Sequence, residues 1–108
     1  MNLRNALRKP RRQDPQLLVI PNRDAVLAAF NRAQTYPLDL IAIELERSTM
    51  FGKPGFLLIA FTRNCGLNAQ HFMPGDEVNP KLLVDGAGLM AQTLSAGARR
   101  AEDRNGRK

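Results

Sequence analysis

The hydrophobic pattern is densest between residues 38 and 63. Two apolar runs, 38–46 and 56–63, flank a stretch that ends in the turn residues Gly52-Lys53-Pro54-Gly55. In the first run Ile41, Ile43 and Leu45 alternate with Ala42, Glu44 and Glu46. A period of two marks a strand with one buried face. In the second run Phe56, Leu58 and Ala60 share one face and Leu57, Ile59 and Phe61 the other. Both faces are apolar, which predicts a central strand covered on both sides. Two such runs around a Gly/Pro loop predict an antiparallel hairpin, with residues 47–55 as its loop. Leu38, Ile41 and Leu45 also fit one helical face, so a helix over residues 38–50 competes with the first strand.

The flanking pattern predicts three further elements. Residues 16–20 form a short apolar run ended by Pro21, as in an edge strand. Asn22 then stands as an N-cap, with Asp24 in the first turn, ahead of a helix whose apolar face is Val26, Phe30 and Ala33 with Leu27 beside them. Pro37 ends that helix near Thr35. Residues 64–79 contain Gly66, Pro74 and Gly75 and are expected to be a long loop, with a turn at Pro74-Gly75-Asp76. Asn79-Pro80 is a helix start, a cap followed by proline at the first helical position. Leu83, Ala87, Met90 and Leu94 line one face of this helix, Leu82 and Leu89 broaden it, and Gly97 is its expected stop.

Charge changes the picture at the ends. The chain has 108 residues and a net charge of +6. Residues 1–13 carry Arg4, Arg8, Lys9, Arg11 and Arg12 with no acid, and the last twelve positions carry Arg99, Arg100, Arg104, Arg107 and Lys108 against Glu102 and Asp103. The middle has more acids than bases, so the basicity belongs to the termini. Residues 1–15 are expected to be a flexible basic arm, dispensable for folding, and basic ends of this kind engage nucleic acid or another polyanion. Cys65 has no intramolecular partner, which fits a reducing, cytoplasmic setting. No apolar run approaches the length of a membrane span, and the basic N-terminus is not followed by the apolar core of a secretory signal.

Candidate chemistry is sparse. Gly86-Ala87-Gly88-Leu89-Met90-Ala91 has the form G-x-G-x-x-A, but a dinucleotide site needs a following strand and an acidic residue about 20 positions on. Cys65 and His71 lie in the same expected loop without an orienting third group, so no catalytic role is assigned to either. Glu44 and Glu46 share a strand face, as acid–base or metal-binding carboxylates do, and as ordinary solvated residues also do. Met50, Phe51 and Lys53 place large apolar groups and a cation in a turn, a pattern that suits a partner contact.

The expected architecture is α+β. It is a small single domain in the order β-α-β-β-α, with an antiparallel hairpin-centred sheet packed by two helices. The domain spans residues 16–97, and residues 98–108 form a basic C-terminal tail. The expected function is that of a non-enzymatic accessory or regulatory binding protein. Its body docks a partner through Met50, Phe51, Lys53 and Leu89, and its ends contact nucleic acid or another polyanion through Arg4, Arg8, Lys9, Arg11, Arg12, Arg99, Arg100 and Arg104. Neither cofactor nor metal is expected. The breadth of the long helix's apolar face predicts a homo-oligomer, a dimer. Two alternatives stand beside this reading: an inhibitor or adaptor acting by protein–protein contacts alone, and a ligand or enzymatic site in residues 64–79.

Overall fold

The computed structural model describes residues 17–106. The expected arm, with Arg4, Arg8, Lys9, Arg11 and Arg12, lies outside the described residues. The elements are β1 (Leu17–Leu18), α1 (Arg23–Ala33), β2 (Leu40–Met50), β3 (Lys53–Thr62), β4 (Asn68–Pro74) and α2 (Pro80–Gly106). The strands form one antiparallel sheet in the order β1-β2-β3-β4. The fold is α+β, and the β2–β3 hairpin is its centre as the apolar runs predicted.

β3 pairs with β2 on one side and β4 on the other. Its Phe56, Leu58 and Ala60 join Ile43, Leu45 and Met73 in a core that also holds Val26, Ala29 and Phe30 of α1 and Leu83, Ala87, Met90, Ala91 and Leu94 of α2. Both helices therefore pack on the same face of the sheet. Each fully buried Leu, Ile or Phe contributes about 1.5–3 kcal/mol through the water it leaves. Leu57 and Ile59 point to the opposite face and are also buried, at 8 % exposure each, but they stand outside that core. β3 is thus central and buried on both faces, as its two apolar faces predicted, with the core formed with both helices on one side only.

Four expectations about the elements are corrected. First, residues 64–79 are not one long loop. Their middle is β4, which makes the order β-α-β-β-β-α. Second, the hairpin loop is two residues rather than nine, because pairing runs out to Met50↔Lys53. Third, Ile41 is not a core residue. The register shifts between Leu40 and Ala42, and the extra residue of that bulge leaves Ile41 53 % exposed while Leu40 packs on the core. Fourth, α2 does not stop at Gly97 but continues as one helix to Gly106. The part beyond Gly97 has tertiary anchors. Ala98 is fully buried, Arg99 donates to the Thr35 carbonyl at 3.2 Å, and the Tyr36 hydroxyl donates to Glu102 Oε1 at 2.6 Å.

The helix starts differ from one another. Asn79 caps α2 as expected, its Oδ1 accepting the Lys81 N–H at 3.0 Å with Pro80 at the first position. Asn22 occupies the N-cap position of α1 without a side-chain cap; its Nδ2 instead donates to the Pro80 carbonyl at 2.9 Å. That bond ties the start of one helix to the start of the other.

Candidate partner-binding site at the hairpin tip

The β2–β3 hairpin turns at Phe51-Gly52, and both residues have positive φ, 54° and 77°. This is the primed, type I′ geometry whose twist matches that of the strands it joins. The turn favours Asn, Asp or Gly at its first position, because a β-carbon in the left-handed region meets the following carbonyl. Holding any other residue there costs roughly 1–2 kcal/mol. A phenylalanine is therefore poor turn chemistry. It is also not core: Phe51 is 94 % exposed, the most exposed of the large hydrophobic residues described.

The tip is held on a rigid base. Cross-strand pairing is continuous from Ala42↔Phe61 to Met50↔Lys53. β4 braces the other side of β3 as far as Gly55↔Pro74, and the Gly75 N–H donates to the Pro54 carbonyl at 3.1 Å. β4 can come this close because residue 55 is glycine; a Cβ there would stand 2.4 Å from the Met73 carbonyl oxygen. Met50 and Lys53 face each other across the last pair. Below them Arg47 lies opposite Phe56, its guanidinium 5.2 Å from the ring centroid, a cation–π contact that holds the cation at the base of the tip. Residues 47–56 carry no acid. An aromatic apex with cationic flanks suits a pocket that is apolar inside and acidic at its rim.

Met50, Phe51 and Lys53 are thus brought together, as the sequence pattern expected. Leu89 is not with them. It lies in the N-terminal half of α2, beside Asn68–His71 of β4, where it lines a groove of about 230 Å³. Arg47 was missed by sequence reasoning because it read as a loop residue. The signal for it would have been pairing to the end of the hairpin, which places residue 47 opposite residue 56.

Arg99, Arg100 and Arg104 all lie on the last turns of α2 and are exposed. Arg99 is engaged within the fold, with its guanidinium 5.8 Å from the Tyr36 ring centroid as well as on Thr35. Arg100 and Arg104 are four apart and share a helical face.

Residues 64–79 do not assemble a catalytic pair. Cys65 is exposed, in the left-handed region at φ 55°, within the turn between β3 and β4. That turn is closed by Thr62 and Asn64. Thr62 Oγ1 donates to the Leu67 carbonyl, and Asn64 bridges the Asp39 N–H and the Pro37 carbonyl. His71 sits three strand positions beyond Asn68, about 10 Å further along, and turns toward α2. Glu44 and Glu46 share the face opposite the helices, facing Ile59 and Leu57 across the β2–β3 pair. Among the described residues no group of three or more His, Cys, Asp or Glu side chains is placed to hold a metal ion. The G-x-G-x-x-A stretch lies inside α2, so it forms no strand-to-helix turn. No described helix is long and apolar enough to cross a membrane. Compared with protein-family models, curated proteins and solved structures, the chain matches none.

Proposed function

We propose that this chain is a small, non-enzymatic accessory or regulatory protein of the cytoplasm, which docks a protein partner through its hairpin tip and contacts nucleic acid or another polyanion through its basic ends. Phe51 carries the reading. The turn would be more stable with another residue, the core does not use the ring, and the ring stands in solvent on a rigid two-stranded base. An exposed aromatic that serves neither turn nor core is available as an interface anchor. Arg47 and Lys53 give that anchor a cationic surround. The cationic Arg100–Arg104 face of α2 supports the second contact, with the bases of residues 1–13 adding to it. The exposed thiol of Cys65 fits a reducing compartment.

The test uses the full chain and its Phe51→Asn variant as baits in extracts of the native host, with and without nuclease. A partner retained by the parent, lost by the variant and indifferent to nuclease supports docking at the tip. Equal recovery by both baits overturns it. The polyanion contact is read separately, from binding to a labelled oligonucleotide across a salt series. Phosphate contacts weaken steeply as salt rises, and binding that ignores salt or is absent leaves the adaptor reading in its place.

A further inference from the structure

Among the described residues β4 is an edge strand, and the direction of its backbone groups follows from two bonds. Thr62 N–H donates to the Leu67 carbonyl at one end of the β3–β4 ladder, and Gly75 N–H donates to the Pro54 carbonyl at the other. Between them the register runs from Phe61↔Asn68 to Gly55↔Pro74. In an antiparallel pair, alternate residues turn both backbone groups toward the partner strand. Ala69, His71 and Met73 therefore bond to β3, and Asn68, Gln70 and Phe72 present their N–H and C=O groups outward.

Natural edges are guarded against pairing by charge, proline, bulges or shortness. The other edge of this sheet is guarded. β2 carries Glu44, Glu46 and Arg47, and β1 covers part of it. β4 has none of these guards before Pro74. Its sequence, Asn-Ala-Gln-His-Phe-Met-Pro, holds no Asp, Glu, Lys or Arg, and its register with β3 has no shift. Beside the outward groups lies the groove of about 230 Å³ lined by Asn68, Ala69, Gln70, His71, Leu89 and Met90 together with Thr93. Leu89, 52 % exposed, and Leu82, 38 % exposed, are unusual positions for leucine on an otherwise well-packed helix.

We propose that this edge pairs with the same edge of a second copy of the chain, β4 against β4 in antiparallel register about a two-fold axis through Gln70. Gln70 then faces Gln70 of the second copy, and Asn68 faces Phe72. Every outward N–H meets an outward carbonyl, for up to about six backbone hydrogen bonds. The occupant is a second copy for three reasons. The outward groups are symmetric about Gln70, so the edge is complementary to itself, as an isologous interface requires. The strand is uncharged, so like meets like without repulsion. The groove with Leu89 flanks the same residues that hold the axis, so the two-fold brings Leu89 of each copy toward the other. A single foreign strand would satisfy the backbone and leave Leu89 and Leu82 in water. The dimer would also gather four basic termini on one assembly, which raises avidity for a polyanion. The pairing itself does not rest on the hairpin-tip reading.

Gln70→Pro tests it selectively. Proline lacks the N–H at a position that bonds outward, so the ladder to β3 keeps all its bonds. Light scattering on the full chain over a range of concentrations should give a dimer mass for the parent. It should give a single-chain mass for Gln70→Pro and for Leu89→Glu, each with an unchanged circular dichroism spectrum. Phe51→Asn should remain dimeric. A single-chain mass for the parent at every concentration overturns the proposal, and so does a dimer mass kept by folded Gln70→Pro. If Gln70→Pro fails to fold, Leu89→Glu decides alone, and its dimer mass overturns the proposal.

Discussion

The imidazole of His71 lies against Gly86, so close that a β-carbon at residue 86 would stand 2.6 Å from Cδ2 and 3.1 Å from Cγ. This contact is where β4 meets α2. It explains one of the three glycines inside the helix, Gly86, Gly88 and Gly97. Gly88 faces α1, and a β-carbon there would meet only the Ala33 methyl at 3.9 Å, an ordinary contact. Gly86 and Gly88 therefore predict opposite outcomes. Glycine costs a helix interior about 1 kcal/mol relative to alanine. Gly88→Ala should recover most of that and raise the urea midpoint. Gly86→Ala should lower it, because the ring must leave its place, and the combination with His71→Ala should restore the gain. Two equal shifts of the same sign would show that the His71 contact is not what holds residue 86 as glycine.

Gly55 is a harder constraint than Gly86. The atom nearest to an added β-carbon is the Met73 carbonyl oxygen at 2.4 Å, with Pro74 Cα at 2.8 Å. These are backbone atoms and cannot rotate away. Gly55→Ala should therefore separate the ends of β3 and β4, with a loss of about 1–3 kcal/mol typical of overpacking. Amide exchange locates the damage: faster exchange at Gly75, whose N–H bonds to Pro54, with the α1 amides unchanged. A loss spread evenly over the molecule would contradict this account.

Much of the fold is legible because it rests on local signals. The alternation in residues 40–46, the two-faced run of β3 and the Asn79-Pro80 start each express a property of a few adjacent residues. β4 is different. Asn68, Ala69 and Gln70 have weak strand preference, and the segment has no aliphatic branched residue. It is a strand because the open side of β3 offers it a ladder and because Met73 and Ala69 pack beneath α2. The overrun of Gly97 has the same character. Glycine there stays helical because Ala98 is buried and Arg99 and Glu102 find partners in Thr35 and Tyr36 on the segment after α1, which no sequence window reveals. At the candidate site, the residue types were readable but the two-residue turn was not. Asn-Gly would have announced it, and Phe-Gly does not.

Replacing Phe51 by Asn gives a stability prediction with a functional counterpart. Phe51→Asn places a residue tolerant of positive φ in the first turn position and removes an exposed ring. The folded protein should gain about 1 kcal/mol, seen as a higher midpoint in thermal and urea unfolding. A stabilised variant that no longer binds would separate the two roles of the residue. A destabilised variant would mean that the ring packs on something in the folded chain, which its exposure contradicts.

The last prediction concerns alkaline pH and the strut between Tyr36 and Glu102. The Tyr36 hydroxyl donates to Glu102 Oε1 at 2.6 Å. This bond exists only while the phenol keeps its proton. Losing the proton would also place a phenolate beside the carboxylates of Glu102 and Asp103. The hydrogen bond first, then partial burial, then those two charges raise the Tyr36 pKa above its usual 10.0, and the Arg99 guanidinium opposes them. The folded chain thus holds the proton more tightly than the unfolded chain does. A raised pKa of this kind contributes stability that is fully present below about pH 10, the unfolded value. The contribution is lost as pH climbs through the higher folded value. Tyr36→Phe keeps the ring under Arg99 and removes only the hydroxyl. The parent should be slightly more stable than Tyr36→Phe at pH 8 and 9, and the difference should shrink above pH 10. Because the pair is open to solvent, the effect should be small and should fall further with added salt. Urea midpoints of the two proteins at pH 8, 9, 10 and 11 decide it. Parallel profiles across that range would mean that Tyr36 and Glu102 do not hold the end of α2 in the way their geometry implies.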